Sequence, residues 1–172
     1  MSYRPRVLDA ELASRMRSAG AVLIEGAKAC GKTATAEQIA RTVVRLDVDA
    51  AAQAAISVDP SLLLTGETPI LLDEWQVAPS IWNAVRRAVD DRSPARGGFI
   101  LTGSAVPQDD VNRHSGAGRF ATLRMRPMSL FESGHSTGQM SMTALLDSAP
   151  QQAPDSGLTV HDVVERLVIG GW

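Results

Sequence analysis

Gly26-Ala27-Lys28-Ala29-Cys30-Gly31-Lys32-Thr33 has the residue types and spacing to hold a phosphate. Glycine lets backbone N–H groups turn inward with no side chain in the way. A lysine at the position of Lys32 reaches the β and γ phosphates of a nucleotide, and the hydroxyl of Thr33 is placed to hold Mg²⁺. The stretch satisfies the full GxxxxGK[ST] phosphate-loop pattern. The expected nucleotide contacts are Gly26, Ala27, Lys28, Ala29, Cys30, Gly31, Lys32, Thr33 and Ala34.

Forty residues on, Ile70-Leu71-Leu72-Asp73-Glu74 is an apolar run ending in two acids. An acid at the end of a buried strand is the expected partner of such a loop: Asp73 would sit beside Thr33 and share the metal. Glu74 would polarise a water in line with the γ phosphate. Holding the nucleotide needs Asp73 alone, so the second acid points to hydrolysis. Leu101-Thr102-Gly103-Ser104 ends another apolar run in hydroxyls. Thr102 or Ser104 would sense the γ phosphate there, the alternative being an ordinary turn. Arg119, after Gly118, would stabilise phosphoryl-transfer charge in its own chain or from a neighbouring subunit, or else lie at the surface. Arg124 and Arg126 either touch nucleic-acid phosphates or blunt a strand edge. Cys30, near Lys28, Lys32 and a helix start, is expected to be alkylable. His114, His135 and His161 have no metal-ligand spacing.

These groups need elements to position them. Asp9 to Ser18 reads as a helix capped by Asp9, with Leu12 and Met16 on one face. Ala21 to Ile24, bounded by Gly20 and Gly26, reads as a buried strand. Lys32 to Val44 has Ala36, Ile39, Ala40 and Val43 at helical spacing, and Val44 to Val48 follows as a strand. Ala50 to Ile56 is expected to be helical, with another turn from Pro60. Pro69 to Asp73 is a third strand and Pro79 to Asp91 a helix with Ile81, Ala84, Val85, Ala88 and Val89 on one face. Phe99 to Leu101 is a fourth strand. Ala121 to Arg126 alternates like a half-exposed edge strand. Gly134 to Gly157 is rich in Gly, Ser, Pro and Gln, with a brief helix at Met142 to Leu146, and Thr159 to Ile169 is a last helix. Buried strands alternating with helices imply a parallel sheet covered on both faces, an α/β fold with its ligand at the strands' carboxyl ends.

The 172 residues suffice for one domain with a real core. A net charge of −2 gives no overall basic field for nucleic acid or anionic membrane. The apolar runs are far short of the roughly 20 residues a membrane span needs. Behind the first residues lies no apolar stretch of a secretory signal, and a lone cysteine fits a reducing cytoplasm.

Together, "LLDEWQ" at 71–76, "FILTGS" at 99–104, "GRFATLRMRPMSLFESG" at 118–134, the closing "GGW" and the phosphate loop resemble the AAA-type P-loop ATPases of bacteria and archaea that carry an uncharacterised C-terminal DUF domain. The resemblance implies a P-loop NTPase sandwich with sheet order 5-1-4-3-2, ATP as ligand, and Arg119 at the finger or sensor position. Relatives of that kind run to about twice this length. The expectation is therefore a P-loop core at 1–135, a loose connection at 136–158, and the start of a lid or following domain at 159–172, truncated. It implies a cytoplasmic Mg·ATP hydrolase using Lys32, Thr33, Asp73, Glu74, Arg119 and Ser104, with homo-oligomers or an effector as partners. Three other readings stay open: a nucleotide-binding module with little turnover, a nucleic-acid or partner scaffold using Arg119, Arg124 and Arg126, and a small-molecule kinase.

Overall fold

The computed structural model describes residues 3–91, 96–103, 116–140, 142–147, 155 and 157–170, without the side chain of residue 144. The chain forms two compact units, Val7–Arg126 and Met1–Arg6 with Pro127–Trp172.

The larger unit is built on five parallel strands: β1 (Ala21–Gly26), β2 (Thr42–Arg45), β3 (Ile70–Asp73), β4 (Phe99–Gly103) and β5 (Phe120–Met125). Their order is β2-β3-β4-β1-β5, the expected 5-1-4-3-2 read from the other side. The central strands have apolar residues on both faces, so each buries two side-chain rows. Leu23, Leu72 and Leu101 face one core with Ile70 and Phe99; Val22, Ile24, Leu71 and Ile100 face the other. Helices α3 (Ala50–Val58) and α4 (Ser80–Asp91) cover the first face. Helices α1 (Leu8–Ser18) and α2 (Lys32–Glu37) cover the second through Leu12, Met16 and Ala36. The result is a helix–sheet–helix sandwich. Edge strand β5 alternates as expected, Leu123 and Met125 buried, Thr122 and Arg124 exposed.

Three local expectations are corrected. Asp9 does not cap α1: Val7 is the boundary residue, in helical conformation without a side-chain cap, and Asp9 lies inside the first turn. The helix from Lys32 stops at Glu37 instead of continuing to Val44. The second strand is Thr42–Arg45 rather than Val44 to Val48. Ile39 and Ala40 still pack on the core, but from a tight turn after α2 in which Gln38 and Ile39 N–H groups reach the carbonyls three residues back. Val43 then belongs to β2, paired in register with Leu71.

In the smaller unit Arg6 and Glu132 form a buried ion pair, Nε to Oε1 3.0 Å. The other Glu132 oxygen accepts from the Ser129 N–H and hydroxyl. Helices α5 (Met142–Asp147) and α6 (Val160–Ile169) follow. Thr159 caps α6 in a reciprocal box with Asp162, and hydrogen bonding from Thr159 holds the Asp162 carboxyl below its ordinary value.

Candidate nucleotide site

At the carboxyl end of β1 the chain leaves the sheet at Gly26 and re-enters regular structure at Lys32. A Cβ on Gly26 would overlap the Met125 carbonyl of β5, its register partner, so only glycine lets the loop leave there. Ala29 (φ 63°) and Gly31 (φ 96°) both take left-handed backbone, which curls the loop into a cradle. Ala27, Lys28 and Ala29 are exposed at its apex. Lys32 is 5% exposed and its Nζ donates to the loop's own carbonyls, Gly26 O at 2.9 Å and Ala27 O at 2.8 Å. The Thr35 N–H closes the first turn of α2 on the Gly31 carbonyl, 2.9 Å away. Ala34 is exposed beside it. Because α2 has only six residues, the pull on an anion comes from individual N–H groups more than from a long helix dipole.

Thr33 Oγ1 donates to Asp73 Oδ1 at 2.8 Å, linking α2 to the end of β3. The same carboxylate oxygen accepts from Thr102 Oγ1 at 2.5 Å. Asp73 and Thr102 are register partners on β3 and β4, 7% and 0% exposed. Glu74 follows with left-handed backbone, φ 54° and ψ 45°, and accepts at Oε2 from Gln76 Nε2. The structure thus gathers Gly26, Gly31, Lys32, Thr33, Asp73, Glu74 and Thr102 at one end of the sheet. It places the Thr102 hydroxyl on Asp73. Ser104 lies outside the described residues, as does His114.

Arg119 is not gathered there. Its carbonyl accepts from the Ala21 N–H at the start of β1, and Phe120 pairs with Ala21. From Ala21 to Gly26 is about 16 Å of strand at ~3.3 Å per residue. Arg119 therefore lies at the sheet's amino edge, away from its own chain's loop, which counts against the own-chain alternative and leaves the neighbouring-subunit and surface alternatives. Its Nε and Nη2 donate to the two Asp90 carboxylate oxygens, at 2.8 and 3.2 Å. That bond holds the Asp90 carboxyl below its usual value and raises the Arg119 guanidinium. Cys30 is 3% exposed with its Sγ toward the Met125 carbonyl, so the expected ready alkylation does not suit its place in the core. Arg124 and Arg126 are exposed on and just after the edge strand.

The oxygen donors present suit magnesium, which takes one or two protein ligands and leaves the rest to phosphate and water. A hydroxyl and a carboxylate already within one hydrogen bond provide that pair. Among the described residues no group of three or more His, Cys, Asp or Glu could hold a metal. No described helix is long and apolar enough to cross a membrane. Spacing alone does not single out Gln76, because a glutamine after two acids has no motif; the tie to Glu74 emerges only from the turn that follows β3.

Among solved structures, one described as the structure of C. elegans PCH-2 is similar over 93% of this chain, at 13% identity and a TM-score of 0.34. This chain spans 54% of that one. No curated protein matches. Residues 18–133, from the end of α1 through β5, match the family described as AAA domain. The chain belongs to that AAA-domain family and is an ATP-binding module of the AAA type.

Proposed function

We propose that the chain hydrolyses Mg·ATP by in-line attack of water. The observation that carries this reading is the 2.8 Å bond between Thr33 and Asp73, which brings the loop's hydroxyl and the β3 acid to one point. Lys32 would exchange the Gly26 and Ala27 carbonyls for phosphate oxygens, a swap that keeps its buried ammonium paired throughout. Thr33 and Asp73 would hold magnesium, which when bound offsets charge on the β and γ phosphates. Glu74 would orient the water and take its proton as the water oxygen bonds to phosphorus and the bridging oxygen leaves with ADP. Ser104 would contact the γ phosphate, and Arg119 would act on a neighbouring copy. The reducing cytoplasm is the setting this reading implies.

The test is Glu74→Gln, which keeps the side chain's shape and removes the base. ATP should bind as in the parent, seen as nucleotide-dependent thermal stabilisation, while phosphate release falls steeply, leaving only a small residual rate above a Lys32→Ala control. Unchanged turnover would sink the assignment.

A further inference from the structure

We propose that Gln76 is the positioning residue for the Glu74 carboxylate, and that position 103 is glycine to leave room for it. The inference rests on the reading of Glu74 as the group that activates water.

A glutamate side chain has three rotatable bonds, so a base at the end of a strand needs something to fix it. Glu74 takes left-handed backbone, a conformation uncommon outside glycine. That bend turns the chain out of β3 straight into a 3-10 turn at Trp75–Val77. The turn is closed by Val77 N–H to the Glu74 carbonyl and Ala78 N–H to the Trp75 carbonyl, both 3.0 Å. Trp75 anchors it: the indole is 1% exposed and lies 5.2 Å, centroid to centroid, from Trp82, which stacks on Phe120 at 4.0 Å.

Gln76, one step further, is thereby folded back on Glu74. Both carboxylate oxygens are acceptors, so the contact must come from the amide nitrogen, and Nε2 donates to Oε2. The other end of the amide, Oε1, is buried and has no hydrogen-bond partner among the described residues. The oxygen packs against the end of β4. A Cβ on Gly103 would overlap Gln76 Oε1 and fall 3.1 Å from Trp75 Nε1. The residue before it, Thr102, donates to Asp73. The end of β4 therefore sets both acids, one through a hydroxyl and the other through the space that admits an amide.

Two single variants test this. Gln76→Leu keeps side-chain bulk and removes the donor; Gly103→Ala keeps Gln76 and pushes its amide aside. In each, kcat for ATP should fall about 10- to 100-fold, the cost of a misplaced catalytic group. The Kd for ATP should stay within about twofold of the parent, because the loop is untouched. Placing Gln76→Leu on Glu74→Gln should lower the residual single-turnover rate no further, since there is no base left to position. A purely structural role would lower both backgrounds alike. If Gln76→Leu does not fold, Gly103→Ala decides. Parent-like or faster turnover in the folded variants, or an added tenfold loss on the Glu74→Gln background, overturns the proposal. Full turnover in Glu74→Gln alone, or none in the parent above the Lys32→Ala control, removes the base reading and this inference with it.

Discussion

Asp73 Oδ1 accepts two hydroxyl donors at once, Thr33 from one side and Thr102 from the other. Only the first was legible in the sequence. The loop pattern and the strand-ending acid announce Thr33 and Asp73 as a pair, because the chemistry of magnesium demands them. Thr102 has the right type for a phosphate sensor, and its spacing says nothing of the register that sets it opposite Asp73. Thr102→Val is the sharp test at this scale, since it trades a hydroxyl for a methyl at constant volume. A 7% exposed carboxylate would lose a fully buried donor. Stability should fall by about 1–3 kcal/mol, read from urea unfolding. The improvement in ATP affinity on adding magnesium should shrink, because Asp73 is then free to turn from Thr33. Thr102→Ser should restore both. A Val variant as stable as the parent, with the full magnesium effect, would mean that the bond to Asp73 is incidental.

The elements follow their hydrophobic patterns wherever those patterns stop cleanly. β1, β3 and β4 are short apolar runs fenced by glycine, proline or acid, and each lies where such a run predicts. The passage from α2 to β2 was not legible. Ala36, Ile39, Ala40 and Val43 keep helical spacing with no Gly or Pro between them. Yet β3 offers a partner strand, and pairing Thr42–Arg45 with Ile70–Asp73 outweighs local periodicity. The phosphate loop depends on a similar tertiary fact, the closeness of β5. Gly26→Ala would drive a Cβ into the backbone carbonyl of Met125, an atom that cannot swing aside like a side chain. The loop must then shift off β1. The expected result is a folded chain whose melting temperature no longer rises with millimolar ATP. Persistence of that rise would show that the loop adapts without its glycine.

For the molecule as a whole, the role of Arg119 depends on association between copies. Chain order places it just ahead of β5 but does not say at which end of the sheet β5 begins; the parallel register with β1 answers that and puts Arg119 at the edge away from its own phosphate loop. Two chemistries remain for a guanidinium held by Asp90: a local tie between α4 and β5, or a group presented to the nucleotide of an adjacent copy. The surface pair by itself stabilises little, since an exposed ion pair is screened by solvent and holding two side chains in one geometry costs entropy. Mixing separates the two roles. Arg119→Ala has an intact loop but no arginine; Lys32→Ala has the arginine but a disabled loop. Each alone should be nearly inactive. Mixed at equal amounts, and at concentrations where copies associate, they should recover about a quarter of parental turnover, because half the loops are competent and, with random association, half of those face an intact arginine. Dilution should abolish the recovery. If Arg119→Ala alone turns over like the parent, the residue only ties α4 to the sheet. If the mixture merely sums its inactive parts at every concentration, presentation to a neighbour is ruled out.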